Sequence, residues 1–447
     1  MRKSSKFKVQ SLKLKKEVAF LWDESFLWGV MAYKALKSNG LPFDLIRSED
    51  IKRGQLKNYK MLFVPGGWAS NKLKTLVDDG TSEIRKFVSN GGNYLGFCGG
   101  AGLSTLDGIG LLNVRRKPTK ERVPSFSGRI YLNVNDHPIW ERSKIQNSKF
   151  TSKNSELQTP NSKLVFHAWW PSQFLVEDKR IKILATYGDA MPDSFSSDLN
   201  VGDVEANGGW SELEDIYKIN LDPKRLKDEP AVIEGTFGKG KVLLSLIHFD
   251  SPDDENGAAV LRNLWGHPAP PFNSPLTKGG HREDTEPRAN KFGANSKLID
   301  ELETAVNDLI NLGIRNFLWF WRNSMFLQWR RGVRGLEYCT LYVMVKEIAK
   351  ILKRENTERR IQNTDLNRIS ELLMPFVEKA KQLLILERLV MQNGHITYEK
   401  CDDPEIQKIR TDLFSRSKSH GGLFKRLIDR VDALLYTLIR QERLREV

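Results

Sequence analysis

The stretch "NYLGFCGGAGLS", residues 93–104, decides how this chain is read. It opens as a short apolar run, "NYLGF", of the kind that forms a buried strand. It then sets Cys98 among small residues, with Gly96 two positions before it and Gly99 and Gly100 directly after it. The pattern Gly-x-nucleophile-x-Gly belongs to a sharp strand-to-helix turn, where strained backbone and adjoining elements leave no room for Cβ atoms. Such a turn exposes the sulfur, and the N-terminus of the following helix favours thiolate over thiol. Backbone N–H groups there can also hold a developing oxyanion.

Upstream, short β-like runs alternate with helical ones. "EVAFLWD" reads as a strand, "FLWGVMAYKALKSNG" as a helix with a glycine cap, and "FDLIRSEDI" as a strand end. "YKMLFVPGG" is a strand running into a turn, and "TSEIRKFVSNGG" is a capped helix leading into "NYLGF". Strict alternation implies a flavodoxin-like, doubly wound, mostly parallel sheet with helices on both faces. Downstream, "SGRIYLNV", "SKLVFHAWW" and "IKILATY" read as further strands. "AVIEGTFGKGKVLLSLIHF" reads as a hairpin turned by "GKG", and "NGAAVLRNLW" as a closing helix.

The expected organisation is a basic N-terminal tail over residues 1–16, an α/β domain over 17–270, a linker over 271–293 and an all-α helical bundle over 294–447. The linker is expected where Pro, Gly and charge concentrate. The bundle is expected because the remaining segments carry apolar residues at three and four spacing.

Composition narrows the class. The 447 residues exceed one ordinary core, and 40% apolar with 28% charged content is that of a folded protein. Cys98, Cys339 and Cys401 are too few and too scattered for a disulfide framework, which suits a reducing, cytoplasmic compartment. No run approaches the roughly 18 apolar residues of a membrane span. The net charge of +14 owes seven positive charges to the first sixteen residues. From Lys291 onward 28 basic residues face 21 acidic ones, too balanced for a dedicated nucleic-acid surface.

A thiolate needs a base, oriented by a third group. "KVLLSLIHFDSP" supplies His248 at the end of a strand-like run, with Asp250 two residues on. Residues i and i+2 of a strand share a face, so the carboxylate is expected to reach the imidazole. A second glycine turn, "FVPGGWAS", offers Gly66 and Gly67 beside the elbow, where loops at the carboxyl ends of parallel strands build sites.

"FVPGGW", "GGNYLGFCGGAG" and "GKGKVLLSLIHFDSP" together resemble, in order and spacing, the class I glutamine amidotransferase-like superfamily. Within it they are most similar to the domain at the N-terminus of some biotin–protein ligases. The resemblance covers roughly residues 17–270 and nothing of the bundle. It implies Cys98 as nucleophile, His248 as base, Asp250 as orienting acid, and Gly67 and Gly99 as donors to an oxyanion. The superfamily's usual His-Pro-Glu stands here as His248-Phe249-Asp250, and no segment matches the motifs that grip glutamine.

Two functions follow. The first is a cysteine-dependent amidohydrolase or amidotransferase-like enzyme that acts on a small-molecule amide or acyl substrate through a thioester. The second is a catalytically weak binding or regulatory module. Trp68, Trp169 and Trp170 are candidates for the pocket wall. "GTFGKGKV" nearly spells a phosphate-binding loop, but Val242 stands where Ser or Thr must reach magnesium, so a hairpin turn is expected. "RRGVRG" lacks the context of a biotin site, and His137 is expected to cap a turn. No motif calls for a cofactor, and no His or Cys spacing calls for a metal. The aromatic run "NFLWFWRNSMFLQW", residues 316–329, is expected to be buried, and the bundle to dock on the first domain, on a second copy or on a protein partner.

Overall fold

A computed structural model describes residues 16–141, 143, 162–266, 294–355, 363–394, 401–416 and 420–446. The expected linker, and all of the expected basic tail except Lys16, lie outside these residues.

The first hundred residues supply four strands: β1 (Lys16–Leu21), β2 (Asp44–Ile46), β3 (Tyr59–Val64) and β4 (Asn93–Phe97). All pair in parallel, with β1 between β2 and β3 and with β3 next to β4. Helices α1 (Leu27–Ser38), α2 (Ser48–Lys52) and α3 (Ala69–Ser89) make the crossovers. The strands are near-continuous apolar runs; Ala19, Phe20, Leu21, Leu62, Phe63 and Val64 are all fully buried. Burial on both faces is the condition under which a parallel sheet forms.

After β4 come α4 (Gly99–Leu103), β5 (Arg115–Arg116), β6 (Phe126–Val134) and β7 (Ser162–Trp169). Next are β8 (Phe174–Leu175), β9 (Lys182–Ala190), β10 (Phe195–Ser196), β11 (Leu199–Asn200), β12 (Pro230–Phe237) and β13 (Gly240–Ser245). The main sheet runs β11-β10-β6-β9-β12-β13-β4-β3-β1-β2, with β7 on β6; β5 and β8 form a separate ribbon. From β13 to β2 every pairing is parallel and the order is the doubly wound one. From β12 outward the sheet continues antiparallel. The "GKG" hairpin pairs Phe237 with Gly240, so the near-match to a phosphate loop is a β-turn. His137 accepts from the Ile139 N–H at the start of a single 3₁₀ turn, as expected.

Two local expectations change. The helix expected from Thr81 begins at Ala69 and breaks at Val77 (φ 49°, ψ −169°). Its first half is held by burial of Leu76 and of the whole Lys72 side chain, which segment periodicity does not reveal. Helices α5 (Val201–Asn207) and α6 (Trp210–Tyr217) precede β12, and α7 (Glu255–Leu264), capped by Asp254, closes this half. The C-terminal part is helical, with α8 (Ala294–Arg315), α9 (Gly335–Glu355), α10 (Asn363–Val390), α11 (Pro404–Phe414) and α12 (Gly422–Glu446). Its aromatic run, however, is a hairpin of β14 (Trp319–Trp321) and β15 (Leu327–Trp329).

One apolar core runs through both parts. Trp22 at the end of β1 donates to Asp432 on α12 at 2.7 Å, and Tyr33 on α1 donates to Glu442 at 2.7 Å. Phe326, in the turn of the aromatic hairpin, stacks on Trp169 at 4.2 Å between centroids. Among the described residues no helix is long and apolar enough to cross a membrane.

Candidate active site

Cys98 stands between β4 and α4 with φ 48° and ψ −105°, a left-handed conformation that costs a non-glycine residue energy and persists only when its surroundings enforce it. Here Tyr94 donates to the Gly100 carbonyl at 2.7 Å, and the Cys98 N–H donates to the Ser245 carbonyl at 2.7 Å. The second bond ties the elbow to the end of β13, the neighbouring parallel strand. A Cβ on Gly99 would overlap the Gly67 carbonyl oxygen, so the two glycine turns lie in backbone contact. Gly67 itself has φ 116°, which a side chain would strain.

His248 and Asp250 follow β13, which ends at Ser245, so both stand in a turn and not in a strand. Their meeting therefore does not rest on the alternation of a strand, as the sequence suggests. The turn is closed by the Ser251 N–H on the His248 carbonyl, at 3.2 Å. His248 Nδ1 and Asp250 Oδ1 are 3.0 Å apart, and both side chains are wholly shielded from solvent. The Trp28 indole lies flat on the imidazole, 4.6 Å between centroids and 21° between planes.

The second ring nitrogen, Nε2, is left on the side of Cys98. It is buried and makes no hydrogen bond of regular geometry among the described residues, yet the sulfur is near enough for each group to perturb the other. Burial opposes charge on both groups. For Cys98 it is outweighed by the His248 ring, the Arg116 guanidinium and the Gly99 N–H, and the thiol is held below its ordinary range. For His248 it is outweighed by Asp250 and Cys98, which push the imidazole up to about 9. The imidazolium is thus favoured near neutral pH, the thiol is shifted toward thiolate, and the two groups titrate as a unit. Helix α4 has only five residues, so the pull on the thiol comes from these three groups and not from a long helix.

Cys98 is partly exposed, on a cavity of about 1390 Å³ bounded by both halves of the chain. Gly67, Gly99, Trp68, Trp169 and Trp170 line it, while His248 and Asp250 lie outside its wall. All eight expected site residues therefore gather at one place, in the wall or directly behind it.

Sequence reading missed four others. Trp28 is one, carried by α1. Lys72 is fully buried, its ammonium donating to the Asp23 carbonyl at 2.9 Å and to the Ser25 hydroxyl at 2.5 Å. Burial lowers it to about 8 despite the acids nearby. Arg116 and Arg122 line the cavity close to Cys98. The basic run "RRKPTKERV", residues 115–123, was the available signal for these two. Among the described residues no cluster of three or more His, Cys, Asp and Glu side chains is placed to hold a metal ion.

The doubly wound sheet with a cysteine at its elbow defines the class of architecture. Residues 53–106, which include both glycine turns, match the family described as "Biotin-protein ligase, N terminal". No curated protein matches the chain. Among solved structures, a glutamine amidotransferase from Thermotoga maritima is similar at 12% identity, over 56% of this chain and 82% of its own, with a TM-score of 0.30. A glutamine amido transferase from Methylobacillus flagellatus is similar at 16% identity, over 42% and 67%, with a TM-score of 0.25. A β-galactosidase from Bacillus circulans sp. alkalophilus is similar at 14% identity, over 56% of this chain and 30% of its own, with a TM-score of 0.32. Likenesses at these levels say nothing of activity.

Proposed function

We propose that the protein is a cysteine-dependent amidohydrolase or amidotransferase-like enzyme that cleaves a small-molecule amide or acyl substrate through a thioester on Cys98. The observation that supports it is the arrangement of a strained, cavity-facing Cys98 beside a buried His248 held at 3.0 Å by Asp250. In this reading the thiolate attacks the carbonyl carbon, a C–S bond forms, and the carbonyl electron pair moves onto oxygen. The Gly67 and Gly99 N–H groups hold that oxyanion. Collapse expels the amine or alcohol, which takes its proton from the His248 imidazolium. Water then attacks the thioester, gives a proton to His248 and releases the carboxylate and Cys98. An amine bound in place of water gives transfer instead of hydrolysis.

Iodoacetamide labelling of the Cys98 peptide, followed by mass spectrometry across pH, tests the pair. The expected rate inflects below the roughly 8.5 of a free thiol, and His248→Asn moves the inflection upward. An ordinary inflection that ignores His248 would remove the enzyme and leave a binding or regulatory module.

A further inference from the structure

The cavity wall is unevenly charged. Seven basic side chains line it against two acidic ones, Glu337 and Asp412. Two of the seven are already ion-paired, Arg334 with Glu337 at 2.9 Å and Arg410 with the buried Glu387 at 2.8 Å, while Asp412 pairs with Lys379 at 2.9 Å. The excess is sharpest beside Cys98. The Arg116 guanidinium packs over α4, where a Cβ on Gly102 would touch it, and its Nε is buried with no hydrogen-bond partner among the described residues. Arg122 spends its Nε on the Lys117 carbonyl at 2.6 Å, which leaves its terminal nitrogens for other partners. Neither arginine forms an ion pair with a carboxylate of the described residues; the nearby Asp107 is taken by Arg115 at 2.5 Å. Two like charges on one cavity wall repel, and Arg122 shows it: burial and the Arg116 charge together lower it to about 10.

Guanidinium groups are forked donors suited to carboxylate and phosphate, and a shielded unpaired cation is costly until an anion joins it. The cavity is also larger than the roughly 300–1,000 Å³ of an ordinary small-molecule site. We propose that the cavity takes an anionic substrate, whose carboxylate or phosphate group sits between Arg116 and Arg122 while its amide or acyl carbonyl lies at Cys98. The assignment of the carbonyl rests on the Cys98 reading above; the anion seat stands on its own. Tryptophans Trp28, Trp169, Trp170 and Trp329 line the same cavity and supply apolar surface for the rest of the substrate.

The full-length Cys98→Ala protein, which can form no thioester, is titrated calorimetrically with glutarate and with inorganic phosphate at constant ionic strength. At least one of them is expected to bind, and the stronger of the two identifies the group. Arg116→Gln and Arg122→Gln are each expected to weaken that affinity tenfold or more. Arg116→Lys and Arg122→Lys, which keep charge and lose the fork, weaken it less, and Lys239→Gln at the distant hairpin turn leaves it unchanged. Absence of binding by both anions, or equal binding in all variants, overturns the proposal. Anion binding with an ordinary Cys98 thiol would remove the hydrolase and keep the seat. A reactive Cys98 with no anion binding would do the reverse.

Discussion

Asp250 decides the charge state of the site without facing the cavity. Its carboxylate is the largest influence that favours the His248 imidazolium against burial, and the imidazolium in turn lowers the Cys98 thiol. Asp250→Asn keeps the shape and removes the charge. His248 then falls from about 9, and the pH at which Cys98 alkylates half-maximally is expected to rise by about one unit or more, each unit being about 1.4 kcal/mol of differential interaction. Cys339 serves as an internal control, since burial pushes its thiol up to about 12 and it should stay unlabelled over the same range. A Cys98 profile that ignores Asp250→Asn would separate the carboxylate from the pair. At this scale Cys98 was legible, because the glycines that its turn demands sit beside it in the chain. Trp28 and Lys72 were not, because nothing within a few residues of either says what they pack against.

Helix α4 is short, and its place is set by contact with β3 rather than by its own propensity. Gly100 shows this most directly: a Cβ there would overlap the Val64 carbonyl oxygen at the end of β3. Gly100→Ala is therefore expected to destabilise the fold by about 3 kcal/mol, since backbone cannot yield as a side-chain tip can. Urea unfolding measures it, and a change under about 0.5 kcal/mol would mean that elbow and strand are not in contact. The parallel core was legible because its strands are apolar runs separated by helical periodicity. The aromatic hairpin was not: "LWFW" and "FLQW" are bounded by long amphipathic helices, and a lone two-stranded ribbon is stable only against something else. Phe326 finds that support on Trp28, at 5.3 Å, and on Trp169.

At the scale of the molecule the two halves are joined through a buried acid. Asp432 on α12 accepts from Trp22 at 2.7 Å and pairs with Arg47 at 3.1 Å, yet burial outweighs these partners and raises it to about 7. An unfolded aspartate ionises near 3.9, so between about pH 4 and pH 7 the folded chain holds a proton that the unfolded chain has lost. Asp432 thus contributes stability that is complete below about pH 4 and is lost as pH rises toward 7. Asp432→Asn has no such dependence. The stability of the wild type relative to this variant is expected to fall, by up to about 4 kcal/mol, as pH is raised from 4 to 7.5, and to level off above that. Denaturant midpoints at pH 4, 5, 6 and 7.5 measure it, and parallel curves for the two proteins would show that Asp432 is ionised throughout.

What the sequence determined by itself is local. The strands of the parallel core, the elbow at Cys98 and the "GKG" hairpin each follow from residues a few positions apart, where chain geometry leaves few choices. Only the tertiary structure decided what lies between distant segments. Trp22 and Asp432 are 410 positions apart, and Arg116 and Trp329 share one cavity with Cys98. The physical reason is that burial and Coulomb terms depend on distance in space. Local pattern says which face of a segment is apolar, but not which other segment covers it.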